Sequence, residues 1–260
     1  MNQKLAVITL DLEPDHAGQI PDIYEGWRNK YIRRLFLLLR SYNVPLSIFI
    51  VGKSITNHSS IINYIRKQKS EFYLHSYSHD AKNPDSIFEI SKGIAAFRHF
   101  FKTAPVGYRA PEGRISQKGL KRLKQYGIQF DSSVFPSFWP HPRYLLFPKL
   151  PYVLPHGTYE IPITVIGPLR IIYSLSWIKL IGWIIYRRYI DLFHLPDIVV
   201  FNFHMHDLFS LPTHVQLSPC WKFIYSRNKE SGVELFNNVL CHLKEHGYTF
   251  VPMSTIYRAK

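Results

Sequence analysis

Short apolar runs alternate with amphipathic stretches along the whole chain. Leu5–Leu10 (LAVITL) is a compact, β-branched run, which predicts a strand buried on both faces. From Ile23 to Tyr42, the residues Trp27, Tyr31, Leu35, Leu38 and Leu39 recur at helical spacing. Leu46–Val51 predicts a second strand, closed by Gly52, and Ser54–Lys69 a helix with Ile55, Ile61, Ile62 and Ile65 on one face. Glu71–Leu74 follows as a third strand, Pro84–Phe101 as a helix and Pro105–Tyr108 as a strand. The next helix runs to Tyr126, capped by Ser116 and ended by Gly127, and Ile128–Phe130 is a further short strand. Residues 136–168 are rich in proline and aromatic side chains and predict loops, with Tyr159–Val165 the best strand among them. Leu175–Phe193 predicts a helix, Asp197–Phe203 a strand, Gly232–His246 the last helix and Tyr248–Val251 the last strand.

Strands and helices that alternate in this way build a parallel sheet with helices outside. A closed or nearly closed barrel is the simplest single-domain solution for residues 1–260, with a doubly wound open sheet as the alternative. Composition agrees: 46% of residues are apolar and 19% charged, enough to bury a core and unlike a disordered tail. Aromatic residues reach 15%; rings in excess of core needs suit the lining of a sugar or other ligand cleft, and extra core packing explains them equally.

Charge changes the picture more. Lys and Arg outnumber Asp and Glu by 32 to 18, a net charge of +14. Nucleic acid, an anionic membrane face or an anionic substrate would each fit, and so would plain solubility. The positive residues are scattered over Arg33, Arg34, Arg114–Lys124, Arg170–Arg188 and Arg258–Lys260, with no compact block, so no nucleic-acid partner is expected. Residues 168–189 (PLRIIYSLSWIKLIGWIIYRRY) are too interrupted by Arg170, Lys179, Arg187 and Arg188 to span a bilayer. They predict a core helix or a peripheral membrane contact, since Trp and Tyr among basic residues suit the interface. The two cysteines, Cys220 and Cys241, form neither a metal-spaced pair nor a disulfide framework. No secretory pattern precedes the first strand, so a cytoplasmic location is expected, with the inner membrane surface as the alternative. The oligomeric state is not fixed by any of these patterns.

The unusual polar residues fall just after the strands. Asp11 and Glu13 follow the first, His75 and His79 the third, Arg109 and Asp131 the next two, and His204 and His206 the strand at Asp197–Phe203. In parallel α/β folds the carboxyl ends of the strands share one face and carry the chemistry. His75 and His79, four apart, would lie on one side of a helical turn and share an ion, although surface histidines also occur at that spacing. Leu10 and Leu12 alternate with Asp11 and Glu13, so both carboxylates can point the same way. Two imidazoles and a carboxylate leave positions for water and substrate, as a catalytic metal site requires. Taken singly, each acidic residue could be a helix or turn cap and Arg109 an ordinary surface residue.

The ordered set TLDLE, HSYSH, RAPEG, DSSVFP and FNFHMHD resembles the five motifs of the polysaccharide deacetylase family, also called carbohydrate esterase family four, over residues 9–207. The resemblance implies an irregular (β/α) barrel of about seven parallel strands. It also implies a metal-dependent hydrolase that removes an N-acetyl group from an aminosugar in a glycan, glycolipid or sugar precursor. Asp11 would be the general base on metal-bound water, with Arg109 keeping it ionised. Glu13, His75 and His79 would hold the ion, His204 would be the general acid, and Asp131 would wall the pocket. The implied cofactor is a divalent metal, zinc first, with cobalt, nickel, manganese and iron as alternatives. The implied partner is an N-acylated sugar.

Three departures qualify the match. Most members carry two adjacent Asp in the first motif, where this chain has Asp-Leu-Glu, a D-x-E arrangement. The longer Glu13 leaves Asp15 as a competing ligand. His206, followed by Asp207, rivals His204 as the acid, and Glu112 of RAPEG is either a substrate contact or a helix cap. The alternatives in function are a deformylase or other C–N hydrolase on a lipid-linked sugar or cyclic amide, and a sugar-binding relative without activity.

Overall fold

A buried strand needs partners on both edges, and the first apolar run finds them. In the computed structural model, which describes residues 3–13, 29–80, 82–139, 142–208, 219, 223 and 232–259, β1 (Leu5–Leu12) lies between β10 (Ile198–His204) and β2 (Leu46–Ile50). All three run parallel, with Leu5 opposite Ile198 and Asp11 opposite His204. The sheet continues through β3 (Ser70–Leu74), β4 (Gly107–Tyr108), β5 (Phe130–Asp131) and β7 (Tyr159–Glu160), so seven strands form one parallel path, as expected. Two short strands are added to it. β6 (Tyr152–Val153) is antiparallel to β7, and β11 (Thr249–Phe250) pairs with the start of β1. Between β7 and β10 the sheet is bridged by loop backbone: Thr164 N–H donates to Val200 O at 3.0 Å, and Ser174 pairs with Asn202. The result is a curled, irregular α/β barrel.

The period of two along β1 assigns the layers. Ala6, Ile8, Leu10 and Leu12 face the helices and join the main core, with Leu35, Leu39, Ile62, Ile90 and Phe236. Val7 faces inward onto a second cluster with Phe49, Tyr73, Phe130 and Val200. Thr9 and Asp11 share the parity of Val7, so the barrel interior turns from apolar to polar toward the carboxyl ends of the strands. The other end is closed by a short C-terminal helix, Met253–Arg258, that the apolar pattern did not announce. Tyr257 stacks on Phe130 at 4.9 Å, and Met253 N–H donates to Ser47 Oγ at 2.9 Å.

Outside the sheet lie α1 (Asn29–Ser41), α2 (Gly52–Asn57), α3 (Ser59–Arg66), α4 (Ile87–Phe101), α5 (Gln117–Gln125), α6 (Leu175–Ile181), α7 (Trp183–Phe193), a short α8 (Met205–Leu208) and α9 (Gly232–Glu245). The start of the helix expected from Ile23 lies outside the described residues. Two expected helices are each broken in two. Ser54–Lys69 bends at His58, whose backbone leaves the helical region at φ −133. Leu175–Phe193 breaks at Gly182, which adopts φ 94, ψ 142 between α6 and α7. The apolar spacing runs through both breaks, which is why it concealed them. Of Tyr159–Val165, only the first two residues form a strand of the barrel, while Thr164 reaches β10 by a single backbone bond. Val165 starts the hairpin of β8 (Val165–Ile166) with β9 (Ile171–Ile172).

Residues 168–189 therefore divide between hairpin and helices. Ile172, Tyr173, Leu175, Ile178 and Tyr186 are buried, while Leu169, Ile184 and Ile185 are exposed beside Arg187 and Arg188. Among the described residues, no helix is long and apolar enough to cross a membrane.

The conformation of Gly182 is one that a Cβ-bearing residue adopts only under strain. Gly182→Ala is expected to lower unfolding free energy by about 1–3 kcal/mol, read from the urea midpoint. An unchanged midpoint would contradict the assigned break.

Candidate active site

Each site residue stands where a strand ends. Asp11 is in the last turn of pleat of β1 and Glu13 one residue past it; His75 follows β3 and Arg109 follows β4. Asp131 ends β5, and His204 ends β10. Parallel pairing brings these ends to one mouth of the barrel.

Arg109 is the centre of the assembly. Its side chain is fully buried, and nearly every donor is used. Nη1 donates to Asp11 Oδ1 at 2.6 Å, Asn202 Oδ1 at 2.9 Å and Thr9 Oγ1 at 3.1 Å. Nε donates to Ser132 O at 3.0 Å and Nη2 to Ser132 Oγ at 2.9 Å. The guanidinium lies 3.9 Å over the Phe49 ring. Burial alone would raise the Asp11 pKa, but Arg109, with His75 and His204, outweighs it and holds the carboxyl below its usual value. Asn202 Nδ2 donates to the second Asp11 oxygen at 3.1 Å, which fixes the carboxylate plane.

Beside this pair, Glu13, His75 and His79 gather three ligand atoms within 4.8 Å of one another, all on buried residues. His79 Nε2 lies 2.6 Å and His75 Nε2 3.8 Å from Glu13 Oε2. Burial opposes ionisation of Glu13, yet His79 and His75 hold its pKa well below the usual range. His75 Nδ1 donates to Arg109 O at 2.7 Å, which orients the ring with Nε2 toward the carboxylate. The two histidines do not share a helical turn, contrary to the sequence expectation. Residues 75–79 form a loop in which Ser76 (φ 59) and His79 (φ 63) both adopt left-handed backbone. That loop is tied to α4 by Glu89, whose Oε2 accepts from Tyr77 N–H at 3.0 Å and Ser78 N–H at 2.8 Å. Ser86-x-x-Glu89 reads as a capping box, and Ser86 does cap α4. The glutamate carboxylate turns instead to the histidine loop, a role that local pattern could not reveal.

His204 faces the carboxylates, with Nε2 3.7 Å from Asp11 Oδ2 and 3.9 Å from Glu13 Oε1. Its Nδ1 and backbone N–H both reach Asp207 Oδ2, at 3.2 and 2.9 Å. Burial works against its charge, but the Asp207 hydrogen bond and the Glu13 and Asp11 carboxylates raise its pKa to about 9. Asp207 is itself fixed by Ser176 Oγ at 2.8 Å. His206 stacks on His204 at 4.8 Å and is buried, so of the two histidines His204 is the one that faces Asp11.

Two expected pocket residues are engaged by neighbouring groups of the protein. Asp131 is wholly buried, and its carboxylate accepts from Ser133 Oγ at 2.7 Å, next to the equally buried Glu160. Burial pushes both carboxyls up, Asp131 to about 6 and Glu160 well above its usual range; the Asp131 charge raises Glu160 further, while a hydrogen bond from Glu160 favours the ionised form of Asp131. The pair orders the backbone of DSSVFP, with Glu160 Oε1 accepting from Val134 N–H at 3.0 Å. Glu112 sits in a tight turn, Pro111–Gly113, at φ 52 and pairs with Arg114 at 3.0 Å, so it caps no helix of the barrel. Asp15 lies outside the described residues. Thr9, Asn202, Ser132, Glu89 and Asp207 were missed by the sequence reading. The parity of Thr9 with Asp11 and of Asn202 with His204 was the available signal for two of them.

Comparison with known proteins bears on the family and the fold. The model of the polysaccharide deacetylase family matches residues 1–130. A peptidoglycan deacetylase of Helicobacter pylori is 28% identical over 109 residues, 40% of this chain and 36% of that protein. A peptidoglycan-N-acetylglucosamine deacetylase of Bacillus cereus is 24% identical over 131 residues, 49% of this chain and 55% of that protein. The matched stretch thus spans between a third and just over half the length of these curated relatives. A solved structure from Mycobacterium smegmatis, assigned as a polysaccharide deacetylase, superposes with a TM-score of 0.64 at 17% identity, covering 99% of this chain and 91% of that one. The barrel is shared with that structure, and the family model covers half of the sequence. This chain belongs to the polysaccharide deacetylase family.

Proposed function

We propose that the chain is a divalent-metal-dependent hydrolase that removes the N-acetyl group from an aminosugar in a glycan, glycolipid or sugar precursor. The observation that carries the reading is the buried Arg109–Asp11 pair, 2.6 Å long, set beside the Glu13, His75 and His79 cluster at one barrel mouth. The names of the curated relatives support the sugar amide as substrate class.

The donor set suits a divalent ion. Two imidazoles and one carboxylate converge, and the orientation of the His75 ring by Arg109 O leaves its Nε2 as the ligand atom. Zinc fits such a set best, with cobalt, nickel, manganese and iron as alternatives. When bound, the ion supplies a Lewis acid that polarises the acyl carbonyl and makes water more acidic. Asp11, kept ionised by Arg109, accepts the proton of the attacking water. Asn202 and Arg109 hold both of its oxygens, so the free lone pairs point in a fixed direction. His204, kept protonated by Asp207, donates a proton to the departing nitrogen, which leaves as a neutral amine. Water and amide thus become acetate and amine.

Asp11→Asn is expected to lower acetate release from N-acetylated aminosugars by at least 100-fold while leaving metal content unchanged. His75→Ala should lose both activity and the ion of this first cluster. Full activity in Asp11→Asn would refute the base assignment. The acid form of His204 is lost as pH rises through its pKa, so the rate should fall on the alkaline side. Asp207→Asn removes a contribution that raises that pKa. Its alkaline limb should therefore move to lower pH, and a limb at the wild-type position would contradict the role given to His204.

A peripheral membrane contact through 168–189 is supported by Leu169, Ile184 and Ile185, which are 64%, 67% and 63% exposed near basic residues. The chain should co-sediment with anionic vesicles, and Ile184→Asp combined with Ile185→Asp should release it. Equal sedimentation of the two would contradict this contact.

A further inference from the structure

A second group of ligand-type side chains lies at the opposite end of the barrel. The last turns of α7 and α9 lead directly into β10 and β11, so they stand at the amino ends of the strands. Asp191 comes from α7, His242 from α9 and His246 from just beyond it. One ligand atom from each lies within 4.8 Å of the others.

Three observations point to a ligand. His242 is 3% exposed, yet neither of its ring nitrogens has a hydrogen-bond partner. A buried imidazole with both nitrogens unsatisfied is costly unless something else binds it. His246 N–H donates to His242 O at 3.1 Å, so the helical turn continues through His246 and sets the two ring centroids 4.0 Å apart, with their planes tilted by 35°. His246 Nδ1 also bonds His242 O, at 2.8 Å, which leaves its Nε2 for an outside partner. Asp191 brings a carboxylate from a different helix, and its 3.8 Å contact with Arg187 is exposed and readily exchanged. Bonds of about 2.0–2.1 Å place tetrahedral ligand atoms about 3.4 Å apart. The exposed His246 and Asp191 can close that difference by side-chain rotation.

We propose that Asp191, His242 and His246 form a second divalent-cation site, of zinc type, that staples α7 to α9. Two imidazoles and one carboxylate favour zinc and its transition-metal neighbours over calcium or magnesium. The site stands at the end of the barrel away from Asp11, so its role is to hold the two helices together and it takes no part in hydrolysis. It is independent of the function proposed above.

The test is zinc binding to tag-free, chelator-stripped protein, by equilibrium dialysis with metal analysis and by thermal unfolding. With the first cluster removed as His75→Ala/His79→Ala, the chain is expected to bind one zinc ion and to melt at a higher temperature with zinc than without. Adding His246→Ala, at an exposed position, should abolish both effects, and Asp191→Asn should weaken them. His246→Ala alone should leave the rate of acetate release unchanged. No zinc bound by the His75→Ala/His79→Ala chain, or zinc that persists after His246→Ala is added, would overturn the second site.

Discussion

A guanidinium buried in the middle of a barrel must have its charge and its donors matched. Arg109 meets that requirement with groups from four strand ends: Asp11 and Thr9 of β1, Asn202 of β10, Ser132 after β5, and the ring of Phe49 on β2 beneath it. Leaving one partner of such a buried pair unmatched costs roughly 3–5 kcal/mol. The curl of the sheet, which brings β5 and β10 within reach of one side chain, is thus coupled to the charge of a single carboxylate. The interaction that fixes Asp11 also fixes His75, through the Arg109 carbonyl.

From this centre the site is built outward, each group held by the next. Asp11 is held at both oxygens. His204 is anchored by Asp207, itself anchored by Ser176 of α6. The histidine loop, with two residues in left-handed backbone, is held by Glu89 of α4. Strain of this kind persists only where surroundings over-determine it. Gly93 of α4 contributes to that constraint, because a Cβ there would meet Ser76 O at 3.1 Å. Helices that pack on the core therefore also position the polar residues of the mouth.

Much of this was legible in the sequence. The short β-branched run at Leu5–Leu10 marked the central strand, and the alternation of Asp11 and Glu13 with Leu10 and Leu12 gave their shared direction. What stayed hidden follows from the locality of the signals. Apolar spacing continues across His58 and Gly182, so breaks in backbone direction left no trace in it. The four-residue spacing of His75 and His79 fits a helical turn as well as the loop that occurs. Glu89 resembles a helix cap, and only its proximity to Tyr77 and Ser78 in space reveals its other use. Asp131 follows a strand as the other site residues do, but it is buried against Glu160, a partner on another strand.

The Glu13, His75 and His79 cluster carries the central claim, and anomalous diffraction from crystals grown with zinc tests it most directly. The account predicts a peak about 2.0–2.1 Å from Nε2 of His75, Nε2 of His79 and a carboxylate oxygen of Glu13, with Asp11 still paired to Arg109. A protein that shows no peak there, with His79 still in contact with Glu13, would contradict it.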